Sequence, residues 1–248
     1  MVAPSSSIRI GSGISIGGDI YINVNPPPQT PVLDLDAANY TAIPVNGTTI
    51  LGDGGYTITT LNSGGSMSWS STNGGIFRKT AATGTDFLTF GPDYSATSSP
   101  YTVMMIYRSQ TGAAGRLLNA NSAAPDWLLG LWDSPSYVQD VFFNGTFVGS
   151  TSEADNAWQF IWATYNGNAG SPVSQSYVAN SATPTTTAGT DTTSGGFDGL
   201  RLFGRYDSPT ASSEEPISDV GVVRVWPRVL NLTQIQAQWS AYRTRFGY

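Results

Sequence analysis

The amino-acid sequence predicts an all-β protein: a sandwich or jelly roll, closed by one C-terminal helix and preceded by a short N-terminal β arm. Three observations predict it. Gly 28, Pro 15 and abundant Ser, Thr and Asn supply many turns. Short apolar runs recur about every ten residues between those turns. Helix-favouring residues are scarce: Lys79 is the only lysine, and Glu153, Glu214 and Glu215 are the only glutamates.

The same composition excludes several chemistries. There is no histidine, which removes Ser-His-Asp and Cys-His machinery and His-ligated zinc. There is no cysteine, hence no disulfide framework and no thiol catalysis. A net charge of −6 disfavours nucleic acid as a partner. No run approaches the ~18 apolar residues of a membrane span, so no membrane partner is expected. Met1 to Gly11 lacks an apolar core, so no ordinary secretory signal is expected either.

The chain divides into an arm with a proline linker, residues 1–30, and a sandwich, residues 31–248. Residues 8–25 fall into three six-residue units, IRIGSG, ISIGGD and IYINVN. Ile8, Ile10, Ile14, Ile16, Ile20 and Ile22 sit two apart within the units, on one face of a strand. Gly11, Gly13, Gly17 and Gly18 permit bends, and Pro26 to Pro28 form a stiff spacer. One reading is an edge strand or hairpin packed on the main domain. The other is an assembly arm whose isoleucine face is buried by strand addition to a neighbouring subunit.

Strands are expected in order along the body. Thr102 to Tyr107 is apolar on both faces, as an inner strand is. Leu117-Leu118 and Trp127 to Trp132 follow. Val141 to Phe143 and Phe147-Val148 flank Asn144-Gly145, a hairpin turn. Trp158 to Tyr165 is closed by Asn166-Gly167, and Gly199 to Phe203 and Val220 to Trp226 complete the set. Trp158, Phe160 and Trp162 alternate onto one face, expected to lie against the opposite sheet. The helix begins at Asn231, an N-cap with Gln234 three residues on. Leu232, Ile235, Trp239, Tyr242 and Phe246 form its apolar stripe, Arg243 and Arg245 lie in its last turns, and Gly247 ends it.

These segments resemble the concanavalin A-like lectin/glucanase superfamily in its laminin-G-like form, over residues 31–248. Leu33 to Tyr40, with Thr48-Thr49 and Asp53-Gly54-Gly55, is similar to its first strand and glycine-rich turn. Gly75-Ile76-Phe77 leading to Thr85 to Phe90 is similar to its edge strand. Tyr101 to Tyr107 and Trp158 to Gly167 match its buried strand and its central tryptophan strand. Ile217 to Leu230 and the following helix are the most characteristic part. The resemblance implies a laminin-G-like jelly-roll β-sandwich. The arm and the Ser/Thr/Gly-rich skin also resemble structural proteins of tailed phages, cyanophages among them. That implies a decoration subunit on the outer surface of a virion, with other virion proteins and further copies of itself as partners.

Candidate sites follow from the same residues. Glucanases of the superfamily use E-x-D-x-x-E, a pair of acids held for retaining hydrolysis. Here Glu153-Ala154-Asp155 is followed by Trp158 at the third acid position, so no enzymatic activity is expected. Glu214-Glu215 reads as a solvated loop pair. A surface glycan needs an exposed aromatic platform with a few polar groups. Trp127, Trp132, Asp133, Tyr137, Tyr206 and Asp207 lie near predicted loops and form the candidate set. Trp158, Trp162, Trp226 and Trp239 read as core. The resemblance allows calcium at rim aspartates such as Asp53, Asp133 and Asp207, but single aspartates also start turns, and no cofactor or metal is assigned. Asn39, Asn46, Asn144 and Asn231 fit the glycosylation pattern but read better as turns and a cap.

Overall fold

Valine, isoleucine and aromatic runs with period two become strands, and their pairing is antiparallel throughout the described residues. In the computed structural model these are residues 30–81, 86–94, 99–110, 115–121, 127–132, 138–143, 146–152, 156–165, 172–178, 185–188, 196–204 and 216–247. The first strands are β1 (Leu33–Asp36), β2 (Thr59–Leu61), β3 (Met67–Ser70), β4 (Ile76–Lys79) and β5 (Phe87–Asp93). Then come β6 (Tyr101–Ser109), β7 (Leu118–Ala120), β8 (Trp127–Trp132), β9 (Val138–Phe143) and β10 (Thr146–Ser152). The last are β11 (Trp158–Tyr165), β12 (Pro172–Val178), β13 (Thr185–Ala188), β14 (Asp198–Leu202) and β15 (Ser218–Trp226), followed by helix α1 (Leu232–Tyr242).

Two sheets result. One has the order β13-β12-β11-β6-β15-β4-β3, with β1 also paired to β15. The other has the order β10-β9-β8-β7-β14-β5-β2. β15 is shared along its length: β4 pairs with Ser218 to Val220 and β1 with Val222 to Val225. Between them the register shifts at Gly221. A Cβ there would stand 2.3 Å from Phe246 Cζ, so only glycine lets the Phe246 ring settle on this bulge.

The expected all-β sandwich with one C-terminal helix is what the chain forms. The Trp127 to Trp132 and Trp158 to Tyr165 strands have the expected bounds. The hairpin is present as β9 and β10, with Phe143 opposite Thr146. β2, β3, β12 and β13 carry too few apolar residues to stand out in sequence; pairing with richer neighbours makes them strands. Those additions correct the edge-strand expectation. β4 lies inside the first sheet, between β15 and β3, and β5 inside the second, between β14 and β2.

The faces of β11 are a second correction. Ile161, Ala163 and Tyr165 enter the core between the sheets. Trp158, Phe160 and Trp162 lie on the other face, in a separate cluster with Ile235, Trp239, Tyr242 and Phe246. The large aromatics therefore pack under α1, not against the second sheet. Both faces of β11 are apolar, so periodicity alone could not choose between them.

Helix α1 starts as expected. The Asn231 side chain accepts from the Gln234 amide, and the Gln234 side chain accepts from the Asn231 amide, both at 3.0 Å. Its apolar stripe is shorter than expected: Ile235, Trp239 and Tyr242 are buried, while Leu232 is exposed. The helix ends at Tyr242, and Arg245 and Phe246 act from the turn beyond it. The arm isoleucines, Ile8 to Ile22, lie outside the described residues.

Candidate ligand-binding site

The antiparallel registers bring particular strand ends together. In the first sheet Ser218 stands opposite both Lys79 and Ser109, and Trp158 opposite Arg108. Lys79 and Ser109 are the last residues of β4 and β6, and Ser218 and Trp158 the first of β15 and β11. In the second sheet Leu202 stands opposite Leu118, which stands opposite Leu129. β8 and β14 thus run the same way and finish at one end of the sandwich. The two sheets are tied there, because Lys79 Nζ donates to the Asp86 carbonyl at 2.8 Å, just before β5. This loop end is where segment 133–137 leaves β8 and segment 203–217 leaves β14.

Asp86 is bound in detail. Its carboxylate accepts from the Gly64 amide (2.8 Å), the Ser66 amide (2.7 Å) and the Ser66 hydroxyl (2.6 Å). Burial alone would raise its pKa, but those bonds, with the Lys79 ammonium nearby, hold it below the usual value. Further along the inner face, Ser109, Ser218 and Gln159 are buried. Their side-chain polar atoms have no hydrogen-bond partner among the described residues. The apolar core therefore ends in a polar floor beneath the loop end.

The outer face carries a second polar feature at the same level. Trp158, Arg108, Asp219, Arg78 and Ser68 stand side by side across β11, β6, β15, β4 and β3. Arg78 Nε donates to Asp219 Oδ1 at 2.7 Å and its Nη2 to Oδ2 at 3.2 Å. Arg108 donates to Oδ2 from both Nε, at 3.2 Å, and Nη2. Gln110 Nε2 reaches Oδ1 at 3.4 Å, and the Arg108 guanidinium lies 5.1 Å from the centroid of the Trp158 ring. The bond to Asp219 pushes the Arg78 pKa up. Asp219 is wholly buried, while the Arg78 and Arg108 side chains are 30% and 24% exposed.

The residues singled out in the sequence separate. Trp132 is the last residue of β8 and sits at the loop end. Trp127 begins the same strand and lies at the other end, fully buried. Its ring packs 5.0 Å from Phe197, beside Tyr101 and Tyr94, so it cannot serve as an exposed platform. A strand of six residues spans roughly 20 Å, which is why its two tryptophans go to opposite ends. Asp133, Tyr137, Tyr206, Asp207, Glu153, Glu214 and Glu215 lie outside the described residues. Asp53 is exposed in a turn, its amide bonded to the Pro31 carbonyl at 3.1 Å. Among the described residues no three His, Cys, Asp or Glu side chains come together as a metal would require.

Sequence reasoning missed Arg78, Arg108 and Asp219. Arg78 and Arg108 are charged residues at the outer-face parity of Ile76 and of Met104 and Ile106, whereas the bulge at Gly221 puts Asp219 out of step with Val222 and Trp226. That signal was available, but their meeting was not: Asp219 is 111 residues from Arg108 and 141 from Arg78.

The fold has known counterparts. It is similar to domain 4 of a GH43 extracellular arabinanase from Geobacillus stearothermophilus, solved in complex with arabinotriose. The TM-score is 0.56 at 14% identity, covering 84% of this chain and 97% of that one. It is also similar to a Trypanosoma rangeli sialidase mutant displaying trans-sialidase activity, with a TM-score of 0.57 at 15% identity, covering 88% of this chain. The chain spans about one third of that sialidase, 34%. At such identities the likeness is one of fold: a β-sandwich of the kind found in carbohydrate-active proteins. No family model and no curated protein sequence matches the chain.

Proposed function

We propose that the chain is a non-enzymatic, lectin-like saccharide-binding module whose binding rim is the loop end. The observation that carries this reading is the common finish of β8 and β14. It starts the segment with Trp132, Asp133 and Tyr137 and the segment with Tyr206 and Asp207 from one end of the sandwich, over a polar floor. Aromatic faces with a few polar groups suit a sugar ring. The likeness in fold to an arabinanase domain solved with arabinotriose supports a saccharide as the ligand. The absence of catalysis rests on Trp158 at the third position of the acid motif.

A glycan array followed by calorimetric titration tests the reading. We expect at least one saccharide class to bind, and Trp132→Ala and Tyr137→Ala to weaken it about tenfold or more, about 1.4 kcal/mol per factor of ten. Binding to no saccharide sinks the reading.

A second reading, a phage structural subunit on the virion surface, is favoured by the isoleucine repeat of residues 8–25. Deleting residues 1–30 should abolish co-sedimentation with particles and leave the sandwich folded. Full occupancy by the shortened chain would remove the arm as anchor.

A further inference from the structure

Among the described residues, the outer face of the first sheet carries three arginine sites, and one of them keeps nitrogens without an acceptor. Arg224 donates from each of its three guanidinium nitrogens: Nε and Nη2 fork onto Asp34 at 2.8 and 2.7 Å, and Nη1 donates to Gln238 Oε1 at 2.8 Å. Arg245 does the same, with Nε on the Asn73 carbonyl, Nη1 on Asp36 and Nη2 on the Gly75 carbonyl, each at 2.6 Å. Arg78 and Arg108 differ. Both turn the Nε/Nη2 edge toward Asp219, and among the described residues Nη1 of neither has an acceptor. Two cations share one carboxylate, so the group keeps one net positive charge.

Guanidinium geometry states what fits that charge. Arginine has five N–H donors in a planar fork, and an edge spent side-on leaves the end-on Nη1/Nη2 edge for a second planar anion. Here Arg78 and Arg108 each keep such an end, one on either side of Asp219 in the strands that flank β15. Asp219 locks both planes from below, and the Trp158 ring supports Arg108. The side chains are pre-organised and partly open to solvent. The net charge of −6 repels anions at long range, so an anion is held only where a local positive charge such as this one is left unspent.

We infer that Arg78 and Arg108 form a carboxylate-binding subsite, and that the saccharide taken at the loop end is an acidic one, of the hexuronic acid class. This rests on the saccharide-binding reading and narrows it. A carboxylate is preferred to a neutral hydroxyl because it can accept from both outward edges at once.

The test titrates the full chain with trigalacturonic acid and with its methyl ester, in low salt. The acid should bind at least tenfold more tightly than the ester. Arg78→Gln and Arg108→Gln should each cost about tenfold in affinity for the acid and leave the ester unchanged. Arg78→Lys, which keeps the charge and loses the fork, should fall between them. Thermal midpoints monitor folding, and Arg78→Lys keeps the test decisive if a glutamine variant does not fold. Equal affinity for acid and ester overturns the subsite and leaves the saccharide reading intact. A preference for the acid that survives in the arginine variants also overturns it. Binding of neither overturns both.

Discussion

One face of one sheet is used in two ways. Towards β1, helix α1 covers it: Trp162, Phe160, Trp226 and Trp239 close over one another, and Arg224 and Arg245 are each given a carboxylate and enough carbonyl or amide acceptors to engage every nitrogen. Beyond Phe246 the helix has ended, and Arg78 and Arg108, bonded to the buried Asp219, are left partly open to solvent. The covered half shows what this fold does with arginine for stability alone: one acid per cation and an acceptor for each guanidinium nitrogen. The uncovered half breaks that pattern with two cations on one acid. The difference separates an arrangement that stabilises the sandwich from one that also presents charge.

The largest effect should come from the covered half. Trp162→Ala removes a wholly buried indole between β11 and α1. We expect a loss of roughly 3–5 kcal/mol. In a chain of this size that lowers the thermal midpoint by ~2–4 °C per kcal/mol. An unchanged midpoint would mean the helix does not seal this face.

Asp219→Asn attacks the uncovered half and should cost somewhat less, about 3 kcal/mol, at the low end for breaking a buried ion pair because both arginines can turn to solvent. Denaturant titration checks it. A larger loss than that of Trp162→Ala would show the cluster to be structural first.

The smallest effect belongs to the start of the cover. Asn231→Ala removes one half of the capping box and should cost about 1 kcal/mol. Arg78→Gln serves as the reference for this variant. If Asn231→Ala weakens saccharide binding as much as Arg78→Gln does, the covered and uncovered halves are coupled and the contrast between them fails.

The sequence by itself determined the local structure. Turn residues at fixed intervals, period-two apolar runs and the Asn231/Gln234 pair specify strands and a capped helix from neighbours alone. They placed β8 and β11 residue by residue. They could not tell which face of β11 meets the second sheet, since Trp158 to Tyr165 is apolar on both. They could not tell that the Trp127 end of β8 is sealed, its ring packed on Phe197 and wholly buried. Nor could they join Arg78, Arg108 and Asp219, which come from three strands far apart in the chain. Register and layer order decide these matters, and both are set by long-range pairing: β15 inserts between β6 on one side and β4 and β1 on the other. Local pattern fixes what a segment can become; only the closed sandwich fixes what stands next to it.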